Sequence, residues 1–117
     1  MADRILRGGR VVDPKNGLDG VADVVIENGR IAAVTPHYEG HAPEETDCTG
    51  LVVCPGLVDS HLHLGSVFGS PYGMRMAALS GVTTCLDMAG PLSDVLHYAP
   101  ETGCGIHAAV LEGFDPK

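Results

Sequence analysis

The first fifty residues are a series of short apolar runs separated by residues that favour turns. Gly8-Gly9 divides the first apolar stretch, and the polar cluster at 13–17 precedes the next one. Asn28-Gly29 then joins the apolar runs at 21–27 and 30–34. An Asn-Gly pair in this position favours a type I′ hairpin turn, because both central residues need a positive φ. The pattern predicts turns at both pairs within a β-meander.

The pattern changes at residue 57 to strands that alternate with amphipathic helices. The predicted strands are 57–64, 82–88 and 105–114, and the predicted helices are 74–80 and 92–99. Elements in this order, with strands that are apolar throughout, are typical of a parallel sheet covered by helices. The sequence therefore predicts an α/β fold in two parts, with β-strands over 1–54 and strand–helix units over 55–117.

Composition and charge narrow the classes of protein to consider. The 117 residues are 44% apolar and 19% charged, as in globular proteins. Seven basic against fifteen acidic residues give a net charge of −8, and without a basic stripe we expect no nucleic-acid partner. The lack of an apolar N-terminal segment and of any membrane-length run predicts no membrane partner. Four separated cysteines without a C-x-x-C pair favour reduced thiols and a cytoplasmic location.

Two histidines, His61 and His63, lie two positions apart near the end of the predicted strand at 57–64. Regular alternation along a strand puts them on one face together with Leu57 and Asp59. Imidazoles at this spacing are roughly 6.5–7 Å apart along the strand, close enough to bind one metal ion. A glycine-rich loop follows, and parallel α/β proteins place active sites at this end of their strands. The position favours a metal site over the alternative, two polar strand residues without a ligand.

The other four histidines do not form such a pattern. His37 and His41 are four positions apart, but the segment 35–46 is polar and rich in proline and glycine, which predicts a surface loop. His97 falls on a predicted helix and His107 falls early in a predicted strand. We expect the first two to be solvated and the last two to be structural.

Three ordered motifs resemble those of a known superfamily. They are "GGRVVDP" with "GLDGVADVVIENGRIAAV", then "DCTGLVVCPGLVDSHLHLG", then "SGVTTCLDM". Together they cover nearly the whole chain and resemble the N-terminal portion of the amidohydrolase superfamily, near the dihydroorotases, D-aminoacylases and related deacetylases. The segment "PGLVDSHLH" is the most specific, and "GVTT" followed by an aspartate is the second.

The resemblance implies a fold and a reaction. Residues 1–54 would form part of a small β-sandwich domain, and residues 55–117 the first three β/α units of a TIM-type (β/α)8 barrel. His61 and His63 match the H-x-H motif that binds the more buried metal ion. The implied cofactor is one or two divalent ions, most often zinc, with manganese, iron, cobalt or nickel as alternatives. The metal activates a water that attacks an amide or a related carbonyl.

Two aspartates near the pair have less defined roles. The resemblance implies that Asp59 is a buried strand residue that orients its neighbours and is not a metal ligand. Asp87 comes at the end of the second barrel strand. There it either caps the turn that follows or, at the rim of the site, contacts the substrate or the groups around the metal ligands. No other catalytic candidate is identified in this chain.

The resemblance covers only part of a barrel. A complete (β/α)8 barrel needs about 250 residues, and the superfamily's bridging carboxylated lysine, two later histidines and general-base aspartate have no counterpart here. The only lysines are Lys15 and Lys117. Three β/α units would leave open strand edges and an uncovered apolar face. We therefore expect a complementary chain with barrel strands four to eight and the remaining ligands, in a higher oligomer. These 117 residues would then be a subunit or a cleavage product of a split barrel, and a truncated form is the alternative.

The predicted function is the metal-dependent hydrolysis of the C–N bond of a small-molecule amide or cyclic amide, active only when the barrel is completed. Deamination or another hydrolysis on the same scaffold is one alternative. A non-catalytic scaffold subunit is the other, although a decayed site has no reason to keep both His61 and His63. The predicted rim loops at 65–71, 87–91 and 112–114 contain no arginine or lysine, so they offer no cationic group for a substrate carboxylate.

Overall fold

The computed structural model describes residues 1–64, 72–88, 91–102 and 105–112. The predicted rim loop at 65–71 lies outside the described residues, as do parts of the other two rim loops. The chain divides into two compact units, Met1–Pro55 and Gly56–Lys117, one residue after the boundary predicted from the sequence. Within the described ranges, no helix has the length and apolar character needed to cross a membrane.

The first unit is a five-stranded sheet. Its strands are β1 (Arg4–Asp13), β2 (Leu18–Glu27), β3 (Arg30–Thr35), β4 (Glu44–Asp47) and β5 (Val52–Val53). β1, β2 and β3 form an antiparallel meander, and β4 and β5 both pair in parallel with β1. Between β2 and β3, Asn28 and Gly29 have φ angles of 52° and 69°, as a type I′ turn requires. The predicted hairpin is confirmed.

Two other predictions for this unit are wrong. Gly8-Gly9 does not form a turn, because β1 continues through both residues with an irregularity in its pairing between Leu6 and Gly9. Gly9 is needed for close packing, since a Cβ built on it would lie 2.7 Å from Cγ2 of Val53. The predicted loop at 35–46 is also too long, because β4 begins at Glu44 and pairs with β1.

The side chain of Arg7 holds the polar segment before and within β4 against the sheet. Its guanidinium donates to both carboxylate oxygens of Glu45, at 3.0 and 3.1 Å, and to Asp23 at 3.0 Å. It also donates to the carbonyl oxygens of Tyr38 and Gly40, at 2.7 and 2.6 Å. All five guanidinium N–H groups are therefore used. These bonds tie the segment between β3 and β4 to β1.

The same contacts keep Asp23 and Glu45 ionised. Burial raises the pKa of Asp23, but hydrogen bonds from the N–H groups of Gly8 and Tyr38 and from Arg7 outweigh burial and lower that pKa below its usual value. Hydrogen bonds, of which that from Arg7 is the strongest, lower the pKa of Glu45 to about 2. The two carboxylates accept protons less readily in the folded chain than in an unfolded one.

The second unit is a parallel sheet with helices between its strands. The described elements are β6 (Leu57–Leu62), α1 (Tyr72–Leu79), β7 (Val82–Met88), α2 (Leu92–Thr102) and β8 (His107–Leu111). The strands lie in the order β6-β7-β8, and both pairings are parallel. The predicted alternation of strands and helices is confirmed. Both helices contribute to one apolar core, which consists of Leu64, Met74, Ala77, Val82, Cys85, Val95 and Ile106.

The opposite face of this sheet is apolar and open. Val58 and Leu111 are 73% and 54% exposed. β6 and β8, the outer strands of the sheet, each pair on one side only among the described residues. Apolar surface and unpaired strand edges of this kind are typical of a sheet that packs against a further segment.

Acid is expected to loosen the first unit. The pKa of Glu45 is about 2 in the folded chain, against an ordinary value of 4.5. Its stabilising contribution is therefore complete above pH 4.5 and is lost as the pH falls toward 2. We expect the hydrogen-exchange protection of the Gly8 and Tyr38 amides to fall over this interval. In Glu45→Gln, protection should already be lower at pH 5 and should depend less on pH.

Glu44→Gln, at the adjacent and more exposed position of β4, is the matched control and should keep the pH dependence of the unaltered chain. A Glu45→Gln variant with the same slope as the control would contradict the role given to the Arg7–Glu45 pair.

Candidate metal centre

The end of β6 is irregular. Its pairing with β7 joins Asp59 to Cys85 and Leu62 to Asp87, so β6 has one residue more than β7 between the two pairs. The extra residue forms a β-bulge at 60–61. Because paired residues of neighbouring strands point to the same side of a sheet, Asp59 and Leu62 lie on the side of Cys85, toward the core. The strict alternation that the sequence predicts is therefore interrupted between Asp59 and Leu62.

The carboxylate of Asp59 stabilises the bulge. Its Oδ1 accepts a hydrogen bond from the backbone N–H of His61 at 2.9 Å. A bulge interrupts the hydrogen-bond ladder locally, and an aspartate side chain can accept a nearby backbone N–H in place of the ladder. Asp59 is half-buried. It contacts the backbone of its neighbour, and the orienting role that the resemblance implies stays a prediction.

The two imidazoles that follow the bulge lie close together. The ring centroids of His61 and His63 are 5.5 Å apart, and the ring planes are inclined by 78°. A ring bound to zinc through nitrogen has its centroid about 3 Å from the ion, so two rings on one tetrahedral ion have centroids about 5 Å apart. The observed separation fits two ligands of one ion. Both residues are exposed, which leaves them accessible to an ion.

Asp87 holds the chain immediately after this pair. Its side chain is completely buried, and its Oδ2 accepts a hydrogen bond from the backbone N–H of Leu64 at 2.9 Å. Leu64 in turn packs in the apolar core with Met74 and Ala77 of α1. The carboxylate thus acts on the backbone one residue beyond His63. A role for Asp87 toward the substrate or the groups around the metal ligands stays a prediction.

A cleft of about 420 Å³ lies between the end of β6 and α1. Its lining is mainly apolar and includes His63 and Met76. α1 can approach β6 this closely because its first turn contains Gly73, where an added Cβ would lie 2.6 Å from the carbonyl oxygen of Leu64. The sequence pattern places Gly73 in a loop. Its position just before the predicted helix is the one signal that could have indicated a close approach.

The described part of the chain does not complete a metal site. No group of three or more His, Cys, Asp or Glu side chains in it could hold an ion. His37 and His41 lie in the exposed segment before β4, His97 is on α2, and His107 begins β8. Lys15 lies in the turn between β1 and β2. The structure therefore brings together two candidate ligands, His61 and His63, whereas zinc usually takes four.

Curated proteins match this sequence, although no protein-family model does. The chain is 40% identical over 97 residues to a dihydroorotase of Solibacter usitatus, a match that covers 77% of this chain and 23% of that protein. It is 43% identical over 91 residues to an allantoinase of Rubrobacter xylanophilus, covering 74% of this chain and 19% of that protein.

Solved structures give the same grouping. The L-hydantoinase (dihydropyrimidinase) from Arthrobacter aurescens superposes with a TM-score of 0.71 at 23% identity, over 97% of this chain and 28% of that one. A D-aminoacylase, from work on the functional role of its binuclear metal centre, gives 0.69 at 27% identity, over 97% and 30% of the two chains. The chain belongs to the amidohydrolase superfamily. It spans about a quarter of the length of the curated relatives it matches.

Removal of the Asp87 carboxylate is expected to destabilise the second unit. In Asp87→Ala the buried N–H of Leu64 loses its acceptor, which should lower the free energy of unfolding by about 1–3 kcal/mol. Asp87→Asn keeps an acceptor oxygen and should lose less. Urea denaturation followed by circular dichroism measures both changes.

Asp94→Ala, in the first turn of α2, is the control for removing a carboxylate from this unit. It should cost at most about 1 kcal/mol, the usual worth of an acidic residue near a helix N-terminus. Equal losses in Asp87→Ala and Asp94→Ala would show that the bond to Leu64 contributes nothing particular.

Proposed function

We propose that this chain supplies two metal ligands, His61 and His63, to the active site of a metal-dependent amidohydrolase. The reaction is the hydrolysis of the C–N bond of an amide or cyclic amide. The observation that carries the proposal is the pair of imidazoles, 5.5 Å apart at the end of a parallel strand. The relatives support the reaction class, since they are hydrolases that act on C–N bonds in cyclic amides.

The fold that goes with this function is part of a TIM-type (β/α)8 barrel. On this proposal the second unit is its first three β/α units, and the first unit is part of a small β-sandwich. Three parallel strands with two helices packed into one core support the barrel assignment. Barrel enzymes carry their active sites at the carboxyl ends of the strands. His63 comes directly after the last residue of β6, at that end.

The chemistry divides between the bound ion and the residues of this chain. The group to be held is one or two divalent ions, with zinc first and manganese, iron, cobalt or nickel as alternatives, because two imidazoles suit all of these. When bound, such an ion lowers the pKa of a water and polarises the substrate carbonyl. His61 and His63 hold the ion through ring nitrogens. Leu64 anchors the strand end in the core and so keeps His63 at the edge of the cleft.

The remaining ligands and the general base lie outside residues 1–117 on this proposal. They come from further strands of the barrel, in a longer polypeptide or in a complementary chain within an oligomer. The open apolar face of the second unit, with Val58 and Leu111, supports a neighbouring segment at this place. A reducing, cytoplasmic location agrees with the free thiols of Cys48 and Cys54.

Loss of both histidines is expected to abolish metal uptake at this site. In the complete protein we expect one or two divalent ions per active site by elemental analysis, together with opening of hydantoin or dihydropyrimidine rings. The double variant His61→Ala/His63→Ala should lose at least one ion and more than about 100-fold in hydrolysis rate, since it loses both ligands that this chain provides.

The double variant His37→Ala/His41→Ala is the matched control, because it removes two exposed histidines of the first unit and should retain metal and activity. Unaltered protein without bound metal would contradict the proposal and favour a scaffold role. Release of ammonia in place of ring opening would favour a deaminase.

Completion of the barrel is tested by the intact mass of the native protein. We expect native mass spectrometry to show the metal-bound, active species at a mass well above the 12.1 kDa of these 117 residues. The added mass should contain further barrel strands with a lysine, two histidines and an aspartate. An active, metal-bound monomer of 12.1 kDa would contradict this part of the proposal.

A further inference from the structure

We propose that Asn28 is a site of spontaneous deamidation, at which the side-chain amide is lost to water and the hairpin between β2 and β3 is altered. The reaction needs no enzyme, and it concerns the first unit only. The chain has two Asn-Gly pairs, Asn16-Gly17 and Asn28-Gly29, each in a turn between neighbouring strands. The contacts of the two side chains favour reaction at Asn28 and protect Asn16.

The reaction takes place between an asparagine side chain and the next backbone nitrogen. Glycine in the second position favours it, because no side chain hinders that nitrogen. The nitrogen attacks Cγ of the asparagine, and the new N–Cγ bond closes a five-membered succinimide. The proton of the glycine N–H ends on Nδ2, which leaves as ammonia. Water then opens the ring at one of its two carbonyls and gives aspartate or isoaspartate, in which the main chain runs through the side-chain carbon.

The side chain of Asn16 is held by the carboxylate of Asp13. Its Nδ2 donates a hydrogen bond to Oδ2 of Asp13 at 2.5 Å, and its backbone N–H donates to Oδ1 at 3.3 Å. The bond from this amide is the main cause that lowers the pKa of Asp13, which is therefore ionised at neutral pH. To react, the amide would have to leave its acceptor and turn toward Gly17. The attack also builds up negative charge, which the nearby carboxylate opposes.

The side chain of Asn28 has no such restraint. Asp3 lies near this turn as well, but it accepts the backbone N–H of Asn28 and leaves the amide free. In the described part of the chain, the amide group of Asn28 makes no hydrogen bond. Both residues of each pair are exposed, and a Cβ added to Gly29 or to Gly17 would have no heavy atom within 4 Å. The two pairs therefore differ in the freedom of the asparagine amide.

The products would loosen the edge of the sheet. A carboxylate at position 28 would lie beside Asp3 and Glu27, and like charges repel. Isoaspartate also adds a main-chain atom to the two-residue turn that sets the register of β2 and β3. Among the described residues, β3 pairs with β2 alone. We therefore expect β3 to lose protection when Asn28 is converted.

The test is incubation of the complete protein in mildly alkaline buffer, followed by peptide mapping with mass spectrometry. The Asn28 peptide should convert to aspartate and isoaspartate forms about three- to tenfold faster than the Asn16 peptide, the factor that one hydrogen bond gives. Asp13→Ala should raise the rate at Asn16 by the same factor. Asp3→Ala, which removes an aspartate from the other turn, is the matched control and should leave the rate at Asn16 unchanged.

Asn28→Gly tests the effect on the hairpin, because it cannot react and glycine also adopts the positive φ of a type I′ turn. After incubation, the unaltered protein should lose hydrogen-exchange protection in β3, and Asn28→Gly should keep it. Equal loss in both proteins would overturn the effect on β3. Conversion of Asn16 as fast as that of Asn28 would overturn the choice of site. An Asp13→Ala variant that reacts at Asn16 no faster than the unaltered protein would overturn the protection by Asp13.

Discussion

The second unit depends on one irregularity, the bulge in β6. Asp59, Leu62 and Leu64 lie on the core side of the sheet. Regular alternation cannot put all three there, because 59 is an odd-numbered position and 62 and 64 are even-numbered. One extra residue between Asp59 and Leu62 removes the conflict. As a result, the apolar side chains pack with α1, while the imidazoles of His61 and His63 lie side by side and His63 lines the cleft between β6 and α1. The bulge therefore serves both the packing of the core and the geometry of the candidate metal site.

The first unit solves a similar problem in the same chemical way. β1 is irregular between Leu6 and Gly9, and there the carboxylate of Asp23 accepts the N–H of Gly8 at 2.8 Å. In each unit an aspartate replaces the hydrogen bond that an irregular strand leaves without a ladder partner. The two aspartates differ in which strand they belong to. Asp23 is on a neighbouring strand and is paired with Arg7, whereas Asp59 acts on its own strand two residues ahead.

The elements were predictable from the sequence where a local pattern determines them. The Asn28-Gly29 hairpin needs only two residues with positive φ, and the strand–helix alternation after residue 57 needs only apolar periodicity. Gly8-Gly9 was misleading because glycine serves close packing as well as turns, and the contact with Val53 is visible only in the folded sheet. β4 was missed for a related reason: its polar residues pair with β1 through Arg7, far away in sequence.

The candidate site was predictable in identity but not in geometry. The H-x-H pattern and its place at a strand end predicted His61 and His63. Strict alternation did not predict the bulge between Asp59 and Leu62, because a bulge is a property of two paired strands and one strand's sequence does not contain the other's register. The bond from Asp87 to Leu64 was hidden for the same reason, since the two residues meet only when β6 and β7 pair.

The contacts that set the histidine pair are all short in range or lie between adjacent strands. The bond from Asp59 spans two residues, and the bond from Asp87 crosses a single strand pairing. Two ligands alone bind a metal ion weakly. A third and a fourth ligand add most affinity when the first two are already held in place, because binding the ion then costs less conformational entropy. On the proposed function, this chain contributes a pre-set pair of imidazoles, and the rest of the barrel has only to bring its own ligands to it.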